Sequence, residues 1–163
     1  MNKIAALIST GCALLMVTTL PVYASSGGEQ GNGKYAKYVN RLANFETYYP
    51  ASWDYFDLES TVSFVEGGVD LSEASIVSIT LDQIPNLVTV EELEHYLAVQ
   101  HPDQEWEKTS LGEKPAYQNL DRSKGIIYVL KGEGILLTIQ YRIRENAKAK
   151  EEVTTIVESL KME

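Results

Sequence analysis

From residue 45 onward, apolar and polar positions follow two rhythms, alternation in short runs and a three-to-four spacing in two longer ones. In Phe45-Glu46-Thr47-Tyr48-Tyr49, one side carries Phe45, Thr47 and Tyr49 and the other Glu46 and Tyr48, which predicts a first strand stopped by Pro50. Pro50-Ala51-Ser52-Trp53 then reads as a turn that drops a tryptophan back toward the protein. Residues 61–65 predict a second strand, stopped by Gly67-Gly68. Residues 74–81 predict a third, with Val77, Ile79 and Leu81 on one face and Ser78 and Thr80 on the other. The stretch 34–42, KYAKYVNRL, reads as a short helix or an extended approach to the first strand.

Thr89-Val90-Glu91-Glu92 is a capping box: the Thr89 hydroxyl can take the Glu92 amide while the Glu92 side chain reaches back. A helix with the stripe Val90, Leu93 and Leu97 follows, and Pro102 ends it. Four further strands are expected at 105–111, 115–120, 126–131 and 134–144, with short turns at Gly112-Glu113 and Gly132-Glu133 and a loop at 121–125. Connections this short imply antiparallel neighbours and hence a meander. The last strand points Ile135, Leu137, Ile139, Tyr141 and Ile143 one way, and Thr138, Gln140, Arg142 and Arg144 the other, so one face is buried and the other wet or half covered. Asn146 caps a final helix whose stripe, Ala149, Val153, Ile156, Val157 and Leu160, suits packing on a sheet, while Lys148, Lys150, Glu151, Glu152 and Glu158 lie largely away from it. The fold class is therefore α+β: an antiparallel sheet of six to seven strands sandwiched by helices.

The N-terminal residues change the picture from fold to compartment. Lys3, the apolar run 4–20, Pro21 and the small residues Val22 and Ala24 form the pattern of a secretory signal over 1–24, cleaved before Ser25. An uncleaved anchor is the alternative, but Ser9, Thr10, Thr18 and Thr19 interrupt the run. Residues 25–34 begin SSGGEQGNG, a flexible leader, and 35–163 form the expected domain. Cys12 is the only cysteine of the 163-residue chain and falls in the signal. A lipoprotein cleavage site there lacks the aliphatic residue three before the cysteine. Its loss with the signal removes disulfides and thiolate metal sites from the mature chain. The net charge of −9 repels phosphate backbones, which argues against a nucleic-acid partner.

Candidate chemistry is sparse. Phe45, Tyr48, Tyr49, Trp53, Tyr55 and Phe56 crowd into residues 44–56. Most of them fit the edge of a core, where Tyr and Trp bury area and leave one polar atom at the boundary. Tyr55 and Phe56, past the turn beside Asp54 and Asp57, are the candidates for partner contact. His95 and His101 are six apart, on different helix faces, whereas helical metal ligands sit three or four apart; both are expected on the surface. Glu91, Glu92 and Glu94 suit the start of a helix dipole. Asp54 and Asp57 form a carboxylate pair of a kind any acidic chain offers. Gly132-Glu133-Gly134 is too short to cradle a phosphate, and no nucleophile, zinc or dinucleotide motif stands in the chain.

The order of elements carries a resemblance. NFETYYPASW opens on an aromatic strand, "YP" and a Trp; VSFVEGGVDLSEASIVSITL gives strand, glycine excursion and strand; TVEELEHYL is a capped helix; the meander leads into a helix ending IVESLK. Over about 45–161 this resembles the PsbP-like family, named for the extrinsic protein of the photosystem II oxygen-evolving complex. A small Ran-binding import factor and bacterial DcrB-like envelope proteins share that family's fold. The resemblance implies a central antiparallel sheet between helices and a non-catalytic binding or assembly protein. No photosystem role and no metal-ligand residue carries over, because no such motif is matched. The expectation is an exported, soluble protein of the bacterial cell envelope, periplasmic or extracellular, with no transmembrane segment after signal cleavage and an envelope protein as partner. No catalytic, metal or cofactor-binding residue and no cofactor is expected. The alternative is an enzyme, a hydrolase, or a carrier of a small molecule or metal.

Overall fold

The computed structural model describes residues 33–41, 43–121, 123–132 and 134–162. The expected signal over 1–24 and most of the expected leader lie outside them. In chain order the elements are β1 (Tyr35–Asn40), β2 (Phe45–Pro50), β3 (Asp54–Leu58), β4 (Thr61–Val65), β5 (Ile76–Gln83), α1 (Val90–Gln100), β6 (Glu107–Leu111), β7 (Lys114–Leu120), β8 (Lys124–Gly132), β9 (Ile135–Arg142), α2 (Ala147–Glu158) and β10 (Lys161–Met162). Seven strands make one antiparallel sheet in the order β3-β4-β5-β9-β8-β7-β6. Three make a second, β1-β2-β10.

The expected sheet of six to seven strands is thus present, with one correction. The first predicted strand, now β2, belongs to the small sheet and not to the large one. Pro50 ends it, and the Trp53 amide closes a turn on the Pro50 carbonyl at 2.9 Å. The chain then enters the large sheet at its edge, through β3, a strand the hydrophobic pattern left unassigned. The stretch 34–42, open between helix and extended chain, resolves into β1, which pairs antiparallel with β2 from Tyr35↔Pro50 to Asn40↔Phe45.

Strand alternation divides the large sheet into two faces. Val62 and Phe64 of β4, Val77 and Ile79 of β5, Leu137 and Ile139 of β9, Ile127 and Val129 of β8 and Ala116 of β7 share one face, buried with Tyr38 and Phe45 of the small sheet and Val153 and Ile156 of α2. The opposite face offers Tyr117, Tyr128, Leu130 and Leu136 to Leu93 and Leu97 of α1. One helix therefore covers each face, and the small sheet extends the cover on the α2 side.

Both helix starts form as their sequences require. Thr89 and Glu92 complete the capping box, with the Glu92 amide on the Thr89 hydroxyl at 3.2 Å and the Thr89 amide on the Glu92 carboxylate at 2.8 Å. The Asn146 side chain accepts the Ala149 amide at 2.7 Å. Ala149, Val153, Ile156 and Leu160 are buried as the stripe predicts. Glu152 corrects the expectation: it is 5% exposed, its carboxylate accepting the Trp53 indole N–H at 3.2 Å and facing Lys148 at 3.4 Å. A buried carboxylate needs such partners. The C-terminal end of α2 is tied to β2 as well. Thr47, fully buried, donates to the Ile156 carbonyl at 2.6 Å, and the Ser159 hydroxyl accepts the Tyr48 amide at 2.9 Å.

Two glycines are required by what lies against them. The Tyr141 ring crosses Gly125, where a Cβ would come within 2.5 Å of it. Gly134, at φ +74°, turns β8 into β9 and packs where a Cβ would stand 2.8 Å from the Ile84 carbonyl oxygen.

Candidate functional site

Two regions gather the residues with something to offer a partner. The first is the outer edge of the large sheet. β3 is its terminal strand, so alternate backbone groups of 54–58 face away from β4. Its side chains split by face. Tyr55, half-buried, joins an aromatic cluster with Tyr38, Tyr49 and Phe64, its ring 5.4 Å from that of Tyr38. Asp57 accepts the Tyr38 hydroxyl at 2.6 Å. Burial first, and then this carboxylate, push the Tyr38 hydroxyl well above its ordinary value. Phe56 and Leu58, two residues apart, point to the other face and are 53% and 62% exposed. Beside them runs a ladder of hydroxyls, Thr61 to Thr80 at 3.0 Å and Ser63 to Ser78 at 2.8 Å. The turn into β4 holds Glu59 at φ +47°, a left-handed conformation that glycine or asparagine ordinarily takes.

The second region is a cleft of about 290 Å³ at the C-terminal end of α1, lined by Glu94, Leu97, Ala98, His101, Pro102, Gln104, Trp106 and Tyr117. Its walls are held by two polar pairs. The Tyr117 hydroxyl donates to the Glu94 carboxylate at 2.9 Å, and burial, followed by that bond, pushes it up to about 12. His101 Nε2 and the Tyr128 hydroxyl lie 3.0 Å apart. Trp106 meets the Tyr128 ring edge-on at 5.2 Å and the His101 ring at 5.5 Å. Among the described residues, its indole Nε1 is the one buried side-chain nitrogen or oxygen without a hydrogen-bond partner.

The candidates read from sequence disperse accordingly. Tyr55 and Phe56 share a strand but not a face. His95 is exposed, as expected, while His101 is a correction: it caps α1, its amide on the Leu97 carbonyl at 2.9 Å, and packs into the ring cluster. Glu91 and Glu92 stay in the exposed first turn, and Glu94 turns to Tyr117. Asp54 and Asp57 are both exposed on β3, on opposite faces of it. Trp106 went unnoticed because its run, Glu105-Trp106-Glu107, has no apolar neighbour, and its ring partners come from α1 and β8. Among the described residues, no group of three or more His, Cys, Asp or Glu side chains could hold a metal ion. No described helix is long and apolar enough to cross a membrane.

Helices on both faces of an antiparallel sheet, with a small sheet beside one of them, define an α+β sandwich. No family and no curated protein matches the sequence. Among solved structures, the chain is similar to the cyanobacterial PsbP (CyanoP) of Synechocystis sp. PCC 6803, a solution structure, at 16% identity and a TM-score of 0.58, over 86% of this chain and 99% of that one. It also aligns with a crystal structure from Bacteroides thetaiotaomicron VPI-5482 at 15% identity and a TM-score of 0.49, over 78% of this chain and 48% of that one. The likeness to CyanoP shows the fold, which is PsbP-like, as the order of elements in the sequence implies.

Proposed function

We propose that the protein is an exported, non-catalytic binding or assembly protein of the bacterial cell envelope, and that it meets a protein partner along β3. The observation that carries this is the paired exposure of Phe56 and Leu58 on a terminal strand. An edge strand with apolar side chains invites another strand, and natural sheets guard against the wrong one with charge. Here the guard is acidic: Asp54, Asp57 and Glu59 stand on or beside the same strand. Two copies meeting edge to edge would set like charges against one another. A partner strand bearing Lys or Arg between apolar residues would find both complements. The signal-like pattern over 1–24 supports export, and the lack of a recognised catalytic motif in the sequence supports the non-catalytic reading.

The test is capture from envelope extract by the protein and by the F56S/L58S double variant, both checked for unchanged melting. A partner held by the parent and lost by the variant supports the reading. Equal capture by both removes β3 from it. Turnover of an envelope substrate, abolished by one polar substitution in the α1 cleft, overturns the non-catalytic reading. N-terminal sequencing of the exported protein is expected to begin at Ser25.

A further inference from the structure

The cleft at the end of α1 brings together an oriented carboxylate, a helix C-terminus and aromatic rings. Glu94 is exposed, and its carboxylate is oriented by the Tyr117 hydroxyl at 2.9 Å, which leaves further lone pairs for a second donor. The last turn of α1 contains no basic residue, so the negative pole of the helix meets the cleft at Leu97, Ala98 and His101 without a charge to balance it. Trp106 and Tyr117 contribute aromatic rings to the same lining, and ring faces attract cations. Leu97, Ala98 and Pro102 give an apolar wall, and about 290 Å³ suits a small molecule.

We propose that this cleft binds a small organic cation, an amine or quaternary ammonium on a short body, with its charged head between Glu94 and the α1 carbonyls and its body against Trp106. This site is separate from the β3 edge and does not depend on the partner proposed there.

Choline is the probe, followed by the indole N–H resonances of the ¹⁵N-labelled protein. The chain has two tryptophans, and Trp53, bonded to Glu152, serves as internal reference. Saturable movement of the Trp106 signal, with Trp53 unmoved, is expected. Glu94→Gln should weaken binding by about tenfold, a loss of about 1.4 kcal/mol. The neutral isostere 3,3-dimethylbutanol should bind worse by a similar factor, and sodium chloride at equal ionic strength should move nothing. Absence of saturation, equal binding by the isostere, or binding unaffected by Glu94→Gln would each overturn the proposal. Because Glu94 is exposed, its variant is expected to fold, and an unmoved Trp53 signal verifies that.

Discussion

The two tryptophans lie on opposite sides of the large sheet, and they are treated differently. Trp53, 4% exposed on the α2 side, donates its indole N–H to a buried carboxylate supplied by the helix that covers it. Trp106, on the α1 side, packs its ring on Tyr128 and His101 and leaves its N–H unmatched. The contrast extends to the helices. α2 is tied to Thr47 and Tyr48 of the small sheet and to Trp53 of the turn after it, while α1 rests on Leu93 and Leu97, bonds Tyr117 through Glu94 and Tyr128 through its cap His101, and ends at a cleft. Polar atoms on the α2 side are matched to one another, which fixes a single geometry. On the α1 side Glu94 pairs with Tyr117 and His101 with Tyr128, and the buried Trp106 N–H has no partner. If the two binding proposals hold, stability and recognition are divided between the two faces of one sheet.

The sharpest way to break this division is a charge in the α2 core. Ile156→Asp puts an unpaired carboxylate at a fully buried position, which costs several kcal/mol and should prevent folding outright. A variant that still melts cooperatively would show α2 to be dispensable and would make it the first candidate for the partner-binding element. Next in size is the tryptophan pair. Trp53→Ala should lower stability by about 3–5 kcal/mol in urea titration, since it removes a buried ring and the indole donor of Glu152. Trp106→Ala should cost about 1–3 kcal/mol, because its ring is only partly buried and no hydrogen bond is lost. A larger loss at Trp106 would reverse the assignment of the two sides.

Alkaline pH offers a finer probe, because each side holds tyrosines whose protons the fold retains, Tyr38, Tyr49 and Tyr141 on the α2 side and Tyr117 and Tyr128 on the α1 side, each raised first by burial. Tyr38 sits against Asp57 and Tyr117 against Glu94, and both hydroxyls are raised above the ordinary value near 10. A raised folded pKa means the folded state holds the proton longer. The stability it contributes is whole below about pH 10 and drains away as pH climbs toward the folded value, about 12 for Tyr117. Urea midpoints measured from pH 9 to 11.5 should therefore fall, and Tyr38→Phe and Tyr117→Phe should each flatten the fall, the double variant most. The smallest effect belongs to the open edge. Glu59→Gly relieves a left-handed residue at the cost of chain entropy and should raise stability by about 0.5–1 kcal/mol, a few degrees in Tm. A fall in Tm would show that the Glu59 side chain compensates for its backbone.

Local signals were legible in the sequence and long-range ones were not. The Thr89 capping box, the Asn146 cap and the α2 stripe each depend on residues within a few positions, and all three form. β1 was ambiguous because KYAKYVN fits helix and strand alike until β2 is present to pair with it. β10 is two residues long, too short to carry a period, and yet Met162 pairs with Phe45. With β1 ambiguous and β10 too short, no local signal separates β2 from the large sheet. Glu152 looked like a solvent-facing residue because Trp53, its partner, lies on a distant turn. The same holds for the cleft: Glu94, His101, Trp106 and Tyr117 come from α1, the loop beyond it and β7, and no spacing along the chain announces that they meet.

The strand order of the large sheet sets a timetable for folding. β3, β4 and β5 form one run of neighbours and β6 to β9 another, and the two join only where β5 lies beside β9, from Ile76↔Arg142 to Gln83↔Ile135. The β6–β9 run can zip by short turns, in microseconds, while β4 meets β5 across residues 66–75. The seam between them must bring together segments far apart in the chain, and that loop-closure entropy has to be met before any contact across the seam offsets it. Until then Val77 and Ile79 on one side, and Leu137 and Ile139 on the other, remain in water. Within the large sheet, the pairing of β5 with β9 therefore closes the longest loop between neighbouring strands.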